Sequence, residues 1–136
     1  MKKIFILLIF TSLIITAHAQ TFFLGKSLKY IQSYFLGHDD IESTDYPYSI
    51  EYRFWNTSSG SYTFSIDKKD NKCYHFVYWP NGGISGRNQY IQDLNEQLGL
   101  SKEGSWYLKH PDDGRRVEIY YSVQMGLGGQ FDFTYK

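Results

Sequence analysis

In "SIEYRFW", Ile50, Tyr52 and Phe54 alternate with Glu51 and Arg53, the two-residue period of a strand with one packed and one wet face. The same alternation runs through "SYTFSID", where Tyr62, Phe64 and Ile66 oppose Thr63 and Ser65. In "RVEIYYSV", Val117, Ile119, Tyr121 and Val123 oppose Glu118 and Ser122, and in "QFDFTYK", Phe131, Phe133 and Tyr135 oppose Asp132 and Thr134. "NKCYHFVYW" and "SWYLKH" complete the strands this pattern predicts. One wet and one packed face per strand points to an antiparallel sheet. Turn chemistry agrees: "NTSSG" at 56–60, "KKDN" at 68–71, "PDDG" at 111–114 and "MGLGGQ" at 125–130 link consecutive strands, with Gly114 supplying a positive φ.

Two segments carry a helical period instead. Leu28, Ile31 and Phe35 follow i, i+3, i+7 spacing, with Ser27 as N-cap and Gly37 as stop. Ile91, Leu94 and Leu98 repeat that spacing, with Ser85 or Asn88 as cap and Gly99 as stop. The two helices echo each other: "KYIQSYFLG" at 29–37 and "QYIQDLNEQLGL" at 89–100 share Tyr-Ile-Gln and a following Leu-Gly. The expected fold is α+β, with two short helices packed on an antiparallel sheet in the order α-β-β-β-α-β-β-β. Residues 20–80 and 81–136 are candidate tandem subunits, with Ile31 and Ile91 in matching core positions.

The N-terminus changes the setting. Lys2 and Lys3 precede an apolar run from Ile4 to Ile15, and Ala17-His18-Ala19 is a small-x-small cleavage signal. Residues 1–19 read as a secretory signal peptide, too short for the ~20 apolar residues of a membrane span, and residues 20–136 as one domain. Without Lys2 and Lys3, 12 basic side chains face 14 acidic ones, which gives no broad attraction to nucleic acid or an anionic membrane. Cys73 is the only cysteine, so packing and not a disulfide must hold the domain together. Packing material is abundant: 24 of the 26 aromatic residues lie beyond the leader.

The two Tyr-Ile-Gln helices, each followed by antiparallel hairpins, give the chain a pattern that resembles the beta-lactamase-inhibitor-protein-like group of small secreted and envelope proteins. That resemblance implies a sheet whose exposed face binds another protein. It assigns no functional residue. The inhibitor proteins carry disulfides and the lipoproteins of the group an acylated cysteine, and this chain has neither feature.

Three stretches bear candidate chemistry. Cys73 and His75 in "NKCYHFVYW" fall roughly 6.6 Å apart on one strand face, the residue types of a nucleophile with its base or of two zinc ligands. If Asp67 pairs with Lys72 across the turn, Cys73 stands opposite Ile66 and His75 opposite Phe64, on the packed side; a shift of one residue exposes both. Asp39, Asp40, Glu42 and Asp45 in "HDDIESTD" are the candidate oxygen ligands for a hard cation, without the residue order of a calcium loop. "GLGGQ" at 126–130 is glycine-rich but lies between strands, so it reads as a hairpin loop and not a phosphate cradle. Aromatic residues near strand ends, Trp55, Trp79 and Tyr78, are the candidate binding residues, since exposed Trp and Tyr anchor protein interfaces or stack on sugars.

The expectation is therefore an exported, periplasmic or extracellular module that is non-catalytic and binds or inhibits another protein through an aromatic-rich sheet face. It requires no cofactor, no nucleic acid and no membrane anchor after signal removal. The alternatives are a small hydrolase using Cys73 and His75, and a periplasmic carbohydrate binder.

Overall fold

The computed structural model describes residues 23–35, 37–38, 41–124 and 128–136; the leader at 1–19 and the acidic pair Asp39 and Asp40 lie outside them. Helix α1 (Leu28–Ser33) is followed by strands β1 (Ile41–Asp45), β2 (Ser49–Phe54), β3 (Gly60–Asp67) and β4 (Cys73–Pro80). Helix α2 (Gly83–Leu98) then leads into β5 (Ser105–Lys109), β6 (Arg116–Gln124) and β7 (Gly128–Tyr135). All seven strands join one antiparallel sheet in the order β1-β2-β3-β4-β7-β6-β5. The α+β class holds, with one strand more in the first half than the period predicts. That strand is β1. Its sequence "IESTD" is mostly polar and exposed, because it is an edge strand and needs only Ile41 against the core.

The helix ends follow local chemistry. Ser27 caps α1, its Oγ accepting from Tyr30 N–H at 3.3 Å, and α1 buries Ile31 completely. Gly99, at φ +83°, closes α2 by donating to Asn95 O. The start of α2 differs from expectation: its N-cap is Gly82, in the left-handed region at φ +88°, and Ser85 and Asn88 lie inside the helix. A backbone turn, and no capping side chain, starts this helix. The echoed segments also differ in seating. Ile31 is fully buried in α1, whereas in α2 the buried positions are Tyr90 and Leu94 and Ile91 is half-buried.

One sheet face carries the core. Phe54, Phe64, Phe76, Phe131 and Phe133 are all fully buried there, and each such side chain contributes about 1.5–3 kcal/mol by leaving water. Both described helices pack on this face. Tyr90 of α2 sets its ring edge-on to Phe131 at 4.6 Å, and Trp106 Nε1–H donates to Asn95 Oδ1 at 3.0 Å. Phe23 and Leu24, ahead of α1, are buried as well: Phe23 meets Phe64 at 5.2 Å and Phe76 at 5.7 Å. Backbone bonds from Gly25 N–H to Cys73 O (2.7 Å) and from Cys73 N–H to Lys26 O (2.8 Å) fasten that segment to β4.

Candidate functional site

A bulge decides which residues of β4 face where. Cys73 pairs with Ile66 as the Asp67–Lys72 turn requires, but His75 pairs with Ser65, and Tyr74 is the extra residue between them. An inserted residue reverses the side-chain parity of everything after it. Cys73 therefore lies in the core at 1% exposure, while His75 and Val77 share the opposite face. The expected shared face for Cys73 and His75 is not what forms. Tyr78 moves the other way: it is buried on the core face, its hydroxyl donating to Ser59 O at 2.7 Å, and so it is not part of a surface with Trp79.

Cys73 carries no sign of activation. Burial pushes its thiol up to about 12, and its Sγ donates to His75 O at 3.4 Å. A polar cleft of about 430 Å³ adjoins it, lined among others by Asp113, Arg115 and Tyr135, yet the sulfur stays covered. A thiol-reactive reagent at neutral pH is expected to label the native protein about a hundredfold more slowly than the urea-unfolded chain. Equal rates, followed by mass spectrometry, would contradict the buried placement.

The face opposite the helices is built from complete cross-strand rows. One row runs Glu42, Arg53, Thr63, Val77, Asp132, Tyr120, Ser105, and the next Thr44, Glu51, Ser65, His75, Thr134, Glu118, Tyr107. No described helix covers it. Short side chains (Thr63, Ser65, Val77) form its middle, each flanked in its row by a longer one.

Its carboxylates are all engaged. Glu51 pairs with Arg53, whose Nη1–H also donates to Thr44 Oγ1 at 3.2 Å. Asp132 receives His75 Nε2 at 3.0 Å and Gln130 Nε2 at 3.1 Å. Glu118 accepts from Lys136 at 2.6 Å, Ser105 Oγ at 2.8 Å and the Tyr107 hydroxyl at 3.1 Å.

The bond from Lys136, with those from Ser105 and Tyr107, holds the Glu118 carboxyl below its ordinary value. A lowered folded-state pKa gives stability that is present above the unfolded value, about 4.3, and lost as pH falls through the folded one. Thermal midpoints are thus expected to drop on acidification below about pH 4. Glu118→Gln should flatten part of that drop and be the less stable protein at neutral pH. An unchanged pH profile in the variant would remove Glu118 from the account.

Trp55 and Trp79 are brought together at one corner of this face, centroids 6.0 Å apart and ring planes tilted by 38°, with Trp55 Nε1–H donating to Glu42 Oε2 at 3.2 Å. Glu42 is thereby tied to an indole, and Asp45 is paired with Lys68. The two acids are three residues apart on β1, which puts them on opposite faces. Among the described residues no three His, Cys, Asp or Glu side chains gather as a metal group would require. Nor is any described helix long and apolar enough to cross a membrane.

The His75–Asp132–Gln130 network was not foreseen. It depends on the bulge and on pairing between β4 and β7, and no local spacing encodes either. Ser65 stands opposite His75, but its Oγ makes no hydrogen bond to the ring among the described contacts, and strand N–H groups on either side are committed to ladders. Fold and site together define an α+β sheet protein with one packed face and one polar face edged by aromatics. No protein-family model, curated protein or solved structure matches this chain.

Proposed function

We propose that this chain is an exported, non-catalytic module that binds or inhibits another protein through the sheet face opposite its helices. The observation that carries the reading is the pair of complete seven-residue rows, largely polar and with every carboxylate hydrogen-bonded, bordered by the Trp55–Trp79 corner and by half-exposed Tyr107 and Tyr120. Strands ~4.8 Å apart make this face about 30 Å wide, and with ~3.3 Å per residue along each strand its area is near the ~800 Å² that one partner gives to a standard interface. Hydrogen-bonded polar groups around aromatic anchors suit such an interface, where area gives complementarity and a few anchors give most of the affinity. The resemblance to the beta-lactamase-inhibitor-protein-like group implies the same use of an exposed sheet face. Export rests on the leader sequence, and periplasm or extracellular space is its destination.

A photo-crosslinking residue at Val77 or Tyr120 is expected to give a discrete adduct with one envelope or secreted protein. The same residue at exposed Gln97, on α2, should give none. Adducts from both faces, or from neither, would overturn the reading.

The Trp55–Trp79 pair favours one second reading, a carbohydrate-binding module, because neighbouring indoles also cover sugar rings. That version requires tryptophan fluorescence to change on titration with cell-wall oligosaccharides, and a silent panel would dismiss it.

A further inference from the structure

We propose that the slot beside Trp79, at the margin where the open face meets the first turn of α2, takes an apolar side chain of the partner protein with a carboxylate next to it. This rests on the reading of the open face as a protein-binding surface. The slot exists because β4 and β7 separate. Their pairing stops at Tyr78 and Phe131, so Trp79 and Pro80 pair only with β3 while Gly128 and Gly129 pair only with β6. The first turn of α2 closes the gap, leaving a pocket of about 160 Å³. Sites for drug-sized ligands take about 300–1,000 Å³; this one fits a single side chain.

Its walls are Trp79, Pro80 and Ile84, the last 69% exposed. Its rim is Arg87. A Cβ on Gly129 would lie 2.5 Å from Arg87 Cδ and 2.6 Å from Tyr121 Cε2, so the arginine stem rests directly on the β7 backbone. Among the described residues the guanidinium donates to Asn88 Oδ1, at 3.3 Å from Nε and Nη2. Among the described residues no carboxylate pairs with it, and the first turn of α2 has no acidic residue. Arg53, by contrast, is neutralised by Glu51 within its own sheet.

An unpaired guanidinium at the rim of an apolar slot complements a carboxylate beside an apolar side chain, and its planar fork binds carboxylates through two hydrogen bonds. Trp55, tilted against Trp79 at 6.0 Å, extends the apolar surface onto the open face. Trp and Arg at one point are the composition of interface hot spots.

The test titrates the full chain with three N-acetylated, C-amidated dipeptides, Leu-Asp, Leu-Asn and Ala-Asp, following the Trp79 indole and Arg87 Nε–H signals by NMR. Leu-Asp is expected to bind about tenfold more tightly than either control, the order of one charge-assisted hydrogen bond or one buried aliphatic side chain. Arg87→Met should bring Leu-Asp down to the Leu-Asn level, with the remaining spectrum certifying the fold. Equal affinities for the three peptides, no binding by any of them, or a Leu-Asp preference that survives Arg87→Met would each overturn the proposal. Crosslinking from Val77 separates the two readings. An adduct that forms while the peptides show no preference leaves the face intact and removes the slot. A Leu-Asp preference without an adduct keeps the slot and removes the face.

Discussion

Replacing Phe133 by alanine is expected to lower the unfolding free energy by about 3–5 kcal/mol, the range for truncating a buried phenylalanine. Phe133 is fully buried and lies parallel to Phe76, centroids 4.3 Å apart and ring planes 9° apart. The two rings face each other across β4 and β7, where Ile119 also pairs with Phe133. Little can move in to fill the space, since the neighbours belong to strands fixed by their own ladders. Against a total stability of about 5–15 kcal/mol for a domain this size, the loss would bring the protein near its unfolding threshold. Urea titration should show a lower midpoint with an unchanged slope. Phe133→Leu should recover more than half of the loss, and a loss below about 1 kcal/mol for the alanine variant would mean that the stacked pair is not central to the core.

Gly86→Ala is the second large effect, and its sign is the informative part. In a helix interior this change ordinarily stabilises by about 1 kcal/mol. Here a Cβ at Gly86 would overlap the Asn81 carbonyl oxygen, and Asn81 is not free to retreat. Its Nδ2 donates to Thr57 O at 3.0 Å and Ser58 O at 3.2 Å, tying the start of α2 to the β2–β3 connection. The expected result is a loss of about 2–3 kcal/mol, as for overpacking a fixed site. Ser85→Ala, one residue earlier and exposed, should be close to neutral. Equal effects at the two positions, measured by chemical denaturation, would show that the Asn81 turn yields.

Much of this architecture is legible in local pattern. The packed and wet faces of β2, β6 and β7 follow from alternation alone, as do the turns at 68–71 and 111–114, the Ser27 cap and the Gly99 stop. What escapes is non-local or carried by the backbone. β1 is hidden because an edge strand need not be hydrophobic. The phase of β4 is hidden because the Tyr74 bulge is a register event, and with it goes the placement of His75 and Tyr78. The start of α2 is hidden because a left-handed glycine sets it. Phe23 and Leu24 read only as residues following a leader, and nothing in their spacing says that the core needs them. At the candidate site, Trp55 and Trp79 were visible as aromatics at strand ends. Arg87 and the slot were not, because they depend on two strands parting beyond the Tyr78–Phe131 pair.

The central place of β7 has a consequence for the order in which the chain can be made. Synthesis delivers β1–β4 as a meander and β5–β6 as a hairpin, and β7 joins them only afterwards. Until then a nascent chain carries two bare inner edges, on β4 and on β6, each a template for pairing with another molecule. Long-range pairing of this kind is also slow to form. The strand that joins the two halves into one sheet follows both of them in the chain, so a chain truncated before Gly128 would leave two separate sheets, each with an unprotected inner edge.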